Sequence, residues 1–236
     1  PDILFREGLE PLPHVDVMGI HHHNLAGFRI LQLHDADIRQ DESLRQLAAQ
    51  CQDWLYTVQL PSGAFPGGLV GSSRPSTFNT AMILFGLTNP VKKILAEEDK
   101  TKKNAAHAAL DWLLSILEAD GAWRQAAYVP GFVPSYYSYA VWAALETGTA
   151  LNLPEVSEKM RLALRFYARR FQADGTVLDW GFKPGQRAFT HTIAYTLQGF
   201  LESALILGET EIFEKCVFLN FLFAYVRVKY DLFIGL

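Results

Sequence analysis

Trp54-Leu-Tyr-Thr-Val-Gln-Leu-Pro-Ser-Gly63-Ala-Phe65 decides the reading of this chain, because its pattern recurs. An aromatic residue is followed nine positions on by glycine and two further on by a second aromatic. Trp112-Leu-Leu-Ser-Ile-Leu-Glu-Ala-Asp-Gly121-Ala-Trp123 has the same spacing, and Phe166-Tyr-Ala-Arg-Arg-Phe-Gln-Ala-Asp-Gly175-Thr-Val177 has it with Val in the last place. The glycines stand 58 and 54 residues apart. A fixed period of this length is the signature of a repeat architecture.

Working outward, the residues before each glycine form an amphipathic helical pattern: Glu42–Gln59, Lys102–Glu118 and Glu155–Gln172 carry apolar residues at i, i+3, i+4 and i+7. Ser62-Gly63, Asp120-Gly121 and Asp174-Gly175 are expected to stop those helices. A loop rich in Gly, Pro and Ser follows each glycine. Then comes a second, less charged helix, over Phe78–Leu87, Tyr136–Thr147 and Thr190–Leu207. A helix apolar on most sides must be covered on most sides. The amphipathic helices therefore form an outer layer and the apolar ones an inner layer. The fold expected is all-α, an α/α toroid of about four hairpins, an incomplete ring. An earlier inner helix is read through His23-Asn24-Leu-Ala26.

The chain has 236 residues, 21 Lys+Arg against 25 Asp+Glu, and 50% hydrophobic residues. This composition excludes a disordered chain and argues against nucleic acid as the main partner, since no basic surplus exists to neutralise phosphates. Two cysteines, Cys51 and Cys216, make no disulfide framework. No apolar run reaches the roughly 18 residues of a membrane span. Without a visible signal peptide the expected location is the cytoplasm. The chain reads as a single domain over residues 1–236, cut short because it lacks an initial Met and ends in apolar sequence.

Every inner helix opens on a polar pair in apolar surroundings: His23-Asn24, Asn79-Thr80, Tyr137-Ser138 and His191-Thr192. In a ring these starts converge on one rim, where helix N-termini favour an anionic or hydroxyl-rich ligand. Asn, Ser and Thr are also the usual N-caps, and Thr80, Ser138 and Thr192 are expected to act as such. On the last inner helix His191, Tyr195, Gln198 and Glu202 fall at i, i+4, i+7 and i+11, a polar stripe that must either meet a wet cavity or be fully hydrogen-bonded in a core network. Asp179-Trp180 places an acid beside an indole face, a proton donor next to a stacking platform. Asp120 and Asp174, each directly before a glycine, suit turns. Arg74, Arg124 and Arg187 can pair with a carboxylate or a phosphate. His21-His22-His23 does not make a metal site, because adjacent histidines cannot all face one ion; no metal and no cofactor is expected.

Trp54…Gln59-Leu-Pro-Ser-Gly63-Ala-Phe65 resembles the QW repeat of triterpene cyclases and prenyltransferase-like toroids. Those cyclases carry a run of acids, to which Asp35-Ala-Asp37-Ile38 is the nearest string, without the final acids. Asp120-Gly121-Ala-Trp123-Arg-Gln125 with Ser135-Tyr-Tyr-Ser138-Tyr-Ala140 resembles the toroids of carbohydrate-active enzymes: unsaturated glucuronyl hydrolases, polysaccharide lyases and sugar 2-epimerases. The second resemblance implies an enzyme acting on an acidic glycan by acid/base chemistry. The epimerases' use of inner-helix histidines for proton transfer implies that role for His23 and His191. In this reading Tyr195 also moves protons, Asp179 serves as an acid, and Arg124 or Arg187 holds the carboxylate. Trp123 and Trp180 stack on sugar rings, while Asn79, Tyr137, Gln198 and Glu202 line the binding surface. The first resemblance implies instead a cavity for an isoprenoid, or a non-catalytic binding toroid.

Overall fold

A computed structural model of the chain describes residues 42–68, 71–88 and 100–218. Its helices are α1 (Glu42–Val58), α2 (Thr77–Thr88), α3 (Lys100–Ser115), α4 (Ser138–Ala150), α5 (Val156–Ala168) and α6 (Thr190–Leu207). A 3-10 turn over Ser135–Tyr137 leads into α4, and residues 210–218 are helical. No strand occurs among the described residues, only isolated bridges inside two loops, Pro66 to Pro75 and Phe171 to Val177. The fold is all-α and of the α/α-toroid kind.

Helices α2, α4 and α6 form the inner layer, each packed beside the next. Helix α3 lies across α2 and α4, and α5 across α4 and α6. The sequence accounts for the layering. Helix α2, Thr-Phe-Asn-Thr-Ala-Met-Ile-Leu-Phe-Gly-Leu-Thr, has no charged residue and is buried at every position. Helix α5 buries only Val156, Met160, Ala163, Leu164 and Tyr167, one stripe at helical spacing, and turns its charges outward.

The three glycines act differently from the expected helix stops. The outer helices end at Val58, Ser115 and Ala168, several residues earlier. Each glycine instead closes a turn. Gly63 N–H donates to the Leu60 carbonyl at 2.8 Å and Leu60 N–H to the Ala64 carbonyl at 2.9 Å. Glu118 to Ala122 and Gln172 to Thr176 repeat both bonds. The glycines sit at φ +89°, +92° and +83°, which favours a residue without Cβ. Space matters as well. A Cβ on Gly63 would overlap the Ala108 carbonyl of α3, and one on Gly121 would lie 2.7 Å from the Leu162 carbonyl of α5. The turns at Gly63 and Gly121 are thus each pressed against the outer helix of the following hairpin. Gln59 ties the same joint, donating from Nε2 to the Gly63 and Ala105 carbonyls at 2.9 Å each.

The polar residues at the inner-helix starts do more than cap. Ser76, not Thr80, caps α2 by accepting from Asn79 N–H at 3.2 Å. Thr80 Oγ1 accepts from Phe65 N–H at 2.9 Å and pins the preceding turn to the helix. Ser138 Oγ donates to the Thr196 carbonyl at 2.9 Å and joins α4 to α6. Thr192 Oγ1 accepts from Phe189 N–H at 3.1 Å, a local bond at the start of α6.

Candidate functional site

Helix α6 buries Thr192, Thr196, Leu197, Gly199, Phe200, Ser203 and Ala204. The stripe His191, Tyr195, Gln198, Glu202 lies on its other side, with His191 and Gln198 exposed and Tyr195 and Glu202 half-buried. Helix α4 presents a matching stripe. Tyr139, Trp142 and Glu146 fall at i, i+3 and i+7 and are half-buried, while the residues around them are buried. The stripes meet where the helices come closest, since a Cβ on Gly199 would overlap the Tyr139 backbone nitrogen. There the rings of Tyr139 and Tyr195 are 5.1 Å apart. Helix α2 adds Phe78, 5.4 Å from Tyr195, and Phe85, 4.5 Å from Trp142.

Within this aromatic frame the titratable groups are displaced. Burial, reinforced by the Glu146 charge, raises the Glu202 carboxyl above the usual glutamate range. Burial, with Tyr195 and Glu202 adding to it, pushes the Tyr139 hydroxyl up to about 12, and burial raises Tyr195 as well. Glu146 accepts from Trp142 Nε1 at 3.2 Å. A carboxyl that keeps its proton to higher pH, coupled to a second carboxylate, is the arrangement general acid/base chemistry uses. Among the described residues no hydrogen bond from another side chain seals His191, Tyr195, Gln198 or Glu202.

The N-terminal end of this face carries more rings. His191 lies 5.6 Å from Phe189, nearly parallel at 13°, and 5.2 Å from Phe182. Its ring is 6.0 Å from Tyr195, one helical turn along the stripe.

The other sequence-derived candidates are placed elsewhere or held by the fold. Trp123 is 0% exposed and its indole N–H donates to the Leu113 carbonyl at 2.9 Å, so neither ring face is open to a ligand. Arg124 grips Asp120 with two bonds, of 3.0 and 2.7 Å, which hold the Asp120 carboxyl down at about 2, and it also pairs with Glu118. Asp120 and Asp174 accept from Ala122 N–H and Thr176 N–H, the turn roles expected of them. Asn79 is buried and donates to the Pro66 carbonyl at 3.1 Å. Tyr137 is buried among Phe78, Tyr136 and Tyr167, and burial drives its hydroxyl well above the tyrosine range. Asp179 is exposed at φ +56°, with its carboxylate 3.7 Å from Arg170 and its carbonyl accepting from Ser135 N–H. Trp180 is half-buried against the core, and Arg187 is exposed. His23, the rest of the His21–His23 run and Asp35-Ala-Asp37 lie outside the described residues.

Tyr139, Trp142 and Glu146 were missed by sequence reading. Their signal was the same helical spacing that exposed the α6 stripe, set in a run otherwise small and apolar. Among the described residues no group of three or more His, Cys, Asp or Glu is placed to hold a metal ion. No helix there is long and apolar enough to cross a membrane.

No protein-family model matches the chain, and no curated protein matches it. A solved structure does match in fold: an unsaturated glucuronyl hydrolase, in a substituted form with dGlcA-Glc-Rha-Glc. The TM-score is 0.63 at 15% identity, covering 85% of this chain and 62% of that one. The chain thus spans less than two thirds of that protein's length, and at this identity the likeness is one of fold.

Proposed function

We propose that this chain is a carbohydrate-active enzyme that acts on an acidic, uronic-acid-type glycan by acid/base chemistry on the inner face of the toroid. The observation that carries the reading is the column of His191, Tyr195 and Glu202, unsealed among the described residues, with Glu146 facing it from the neighbouring helix. Tyr195 and Glu202, half-buried on an inner helix with no hydrogen-bond partner among the described residues, cost folding free energy, so they call for a purpose in binding or chemistry. The fold-level likeness to a hydrolase solved with an oligosaccharide that begins in dGlcA supports this class over the other toroid activities. Glu202 serves as the proton donor, Glu146 as the second carboxyl group facing it, and His191 and Tyr195 hold and shuttle protons at the substrate. Asp179, Trp180, Gln198 and Arg187 contribute from the rim, and His23 joins them by its sequence pattern.

The test is turnover of unsaturated uronic-acid oligosaccharides, followed by loss of the double-bond absorbance. His191→Ala and Glu202→Gln are each expected to lower kcat/KM by about a hundredfold or more, the scale of one acid/base group. Unchanged turnover in both His191→Ala and Tyr195→Phe would sink the reading. A second reading, an isoprenoid-binding toroid, is favoured by the ring lining of Phe78, Phe85, Tyr139, Trp142 and Tyr195. A thermal shift with a prenyl diphosphate and none with uronic-acid sugars would select it.

A further inference from the structure

Four aromatic side chains crowd the N-terminal end of the inner face. Phe182 is their hub, with Tyr128 at 6.2 Å, Phe189 at 5.7 Å and His191 at 5.2 Å. Phe182 is anchored from below by Tyr136, 5.7 Å away edge to face, which in turn rests on Phe78 at the start of α2. The cluster therefore spans the starts of all three inner helices. Yet Tyr128 is 67% and Phe189 44% exposed. Large rings gathered and left in water forgo the stabilisation of burial, and contiguous patches of this kind mark binding surfaces.

The segment carrying Phe182 and Phe189 is a built turn. Gln186 N–H donates to the Lys183 carbonyl at 3.1 Å, and a Cβ on Gly181 would lie 2.6 Å from the Gln186 carbonyl. The same segment holds two exposed cations, Lys183 and Arg187, neither of them in an ion pair among the described residues. The nearest acid in sequence, Asp179, is already matched by Arg170. The patch thus combines open rings with positive charge, the complement of a sugar ring bearing a carboxylate.

We infer that Tyr128, Phe182, Phe189 and His191 form a sugar-stacking platform at the mouth of the toroid, onto which Lys183 and Arg187 draw an acidic oligosaccharide. The inference rests on the glycan reading above and adds where the chain is first gripped. The apolar C–H face of a pyranose lies flat on an aromatic ring, and two neighbouring rings accept consecutive sugars. His191 is both the last ring of the platform and the first group of the column, so the platform delivers the next sugar toward Tyr195.

Titration calorimetry with the tetrasaccharide dGlcA-Glc-Rha-Glc and the neutral trisaccharide Glc-Rha-Glc tests this. The variants are Tyr128→Ala, Phe189→Leu, which keeps apolar bulk but removes the ring, and Lys183→Gln with Arg187→Gln. The two ring variants are expected to weaken both sugars by about tenfold, the cost of losing one stacked ring. The charge variant is expected to abolish the preference for the acidic sugar. Wild-type affinity in both ring variants overturns the platform, and so does a wild-type chain that binds neither sugar. Turnover is measured in parallel. Binding without turnover sinks the catalytic reading and leaves the platform; turnover with unchanged affinity in the ring variants sinks the platform and leaves the enzyme.

Discussion

Glu202 ties its protonation to the stability of the fold. Its carboxyl is raised by burial and then by Glu146, so the folded chain holds a proton that the unfolded chain releases earlier. Its contribution is fully present below the unfolded value and is lost as pH rises through the raised folded value. Urea unfolding across that window should therefore show stability declining in the wild type, with a flatter profile in Glu202→Gln; parallel profiles would remove Glu202 as the cause. Glu209 has the opposite sign. Burial pushes it up, but hydrogen bonds from Arg161 and Arg165 outweigh this and lower it, so its contribution is lost as pH falls. Gly121 tests the repeat at a single position. Gly121→Ala places a Cβ at φ +92°, 2.7 Å from the Leu162 carbonyl, and is expected to cost about 2–4 kcal/mol in denaturant unfolding. The spacing of the glycines was legible without any structure. What Gly63 and Gly121 press against was not, because that contact lies in the next repeat and no local pattern encodes it.

Helices α4 and α6 depend on a missing side chain. Ser138 Oγ reaches the Thr196 carbonyl because Gly199 lets the two backbones approach. Gly199→Val should separate the helices, lower Tm by several degrees and weaken the near-ultraviolet signal of Tyr139 and Tyr195. A variant with wild-type Tm would mean that the seat is not tight. At this scale the sequence was informative about helices and less so about faces. The inner helices stood out by their lack of charge, and their ends were anticipated to within a few residues. The column on α6 could be read because four polar residues recur at helical spacing. The facing stripe on α4 went unread because aromatic rings among alanines look like ordinary core. Trp123 illustrates the converse: an aromatic beside a loop arginine looks like a stacking surface, and only its indole bond to Leu113 shows that it closes the turn.

Across the whole molecule the formal charge is −4, which disfavours an acidic ligand at long range. Any such ligand must be won over locally, within a screening length of Lys183 and Arg187, and binding should therefore fall as salt rises. The acidic tetrasaccharide should lose affinity between low and physiological salt while the neutral trisaccharide stays nearly constant; equal slopes would deny the charges a part. A ligand present at a hundred times its Kd should also stabilise the fold by about 2.7 kcal/mol, visible as a rise in Tm. The joint between hairpins carries one further consequence. Because the turn at Gly63 leans on Ala108 and the turn at Gly121 on Leu162, the helical hairpin is a unit of sequence but not of protection. Amide exchange should thus proceed in blocks that straddle hairpin boundaries, with the 60–64 amides opening together with α3 and the 118–122 amides together with α5.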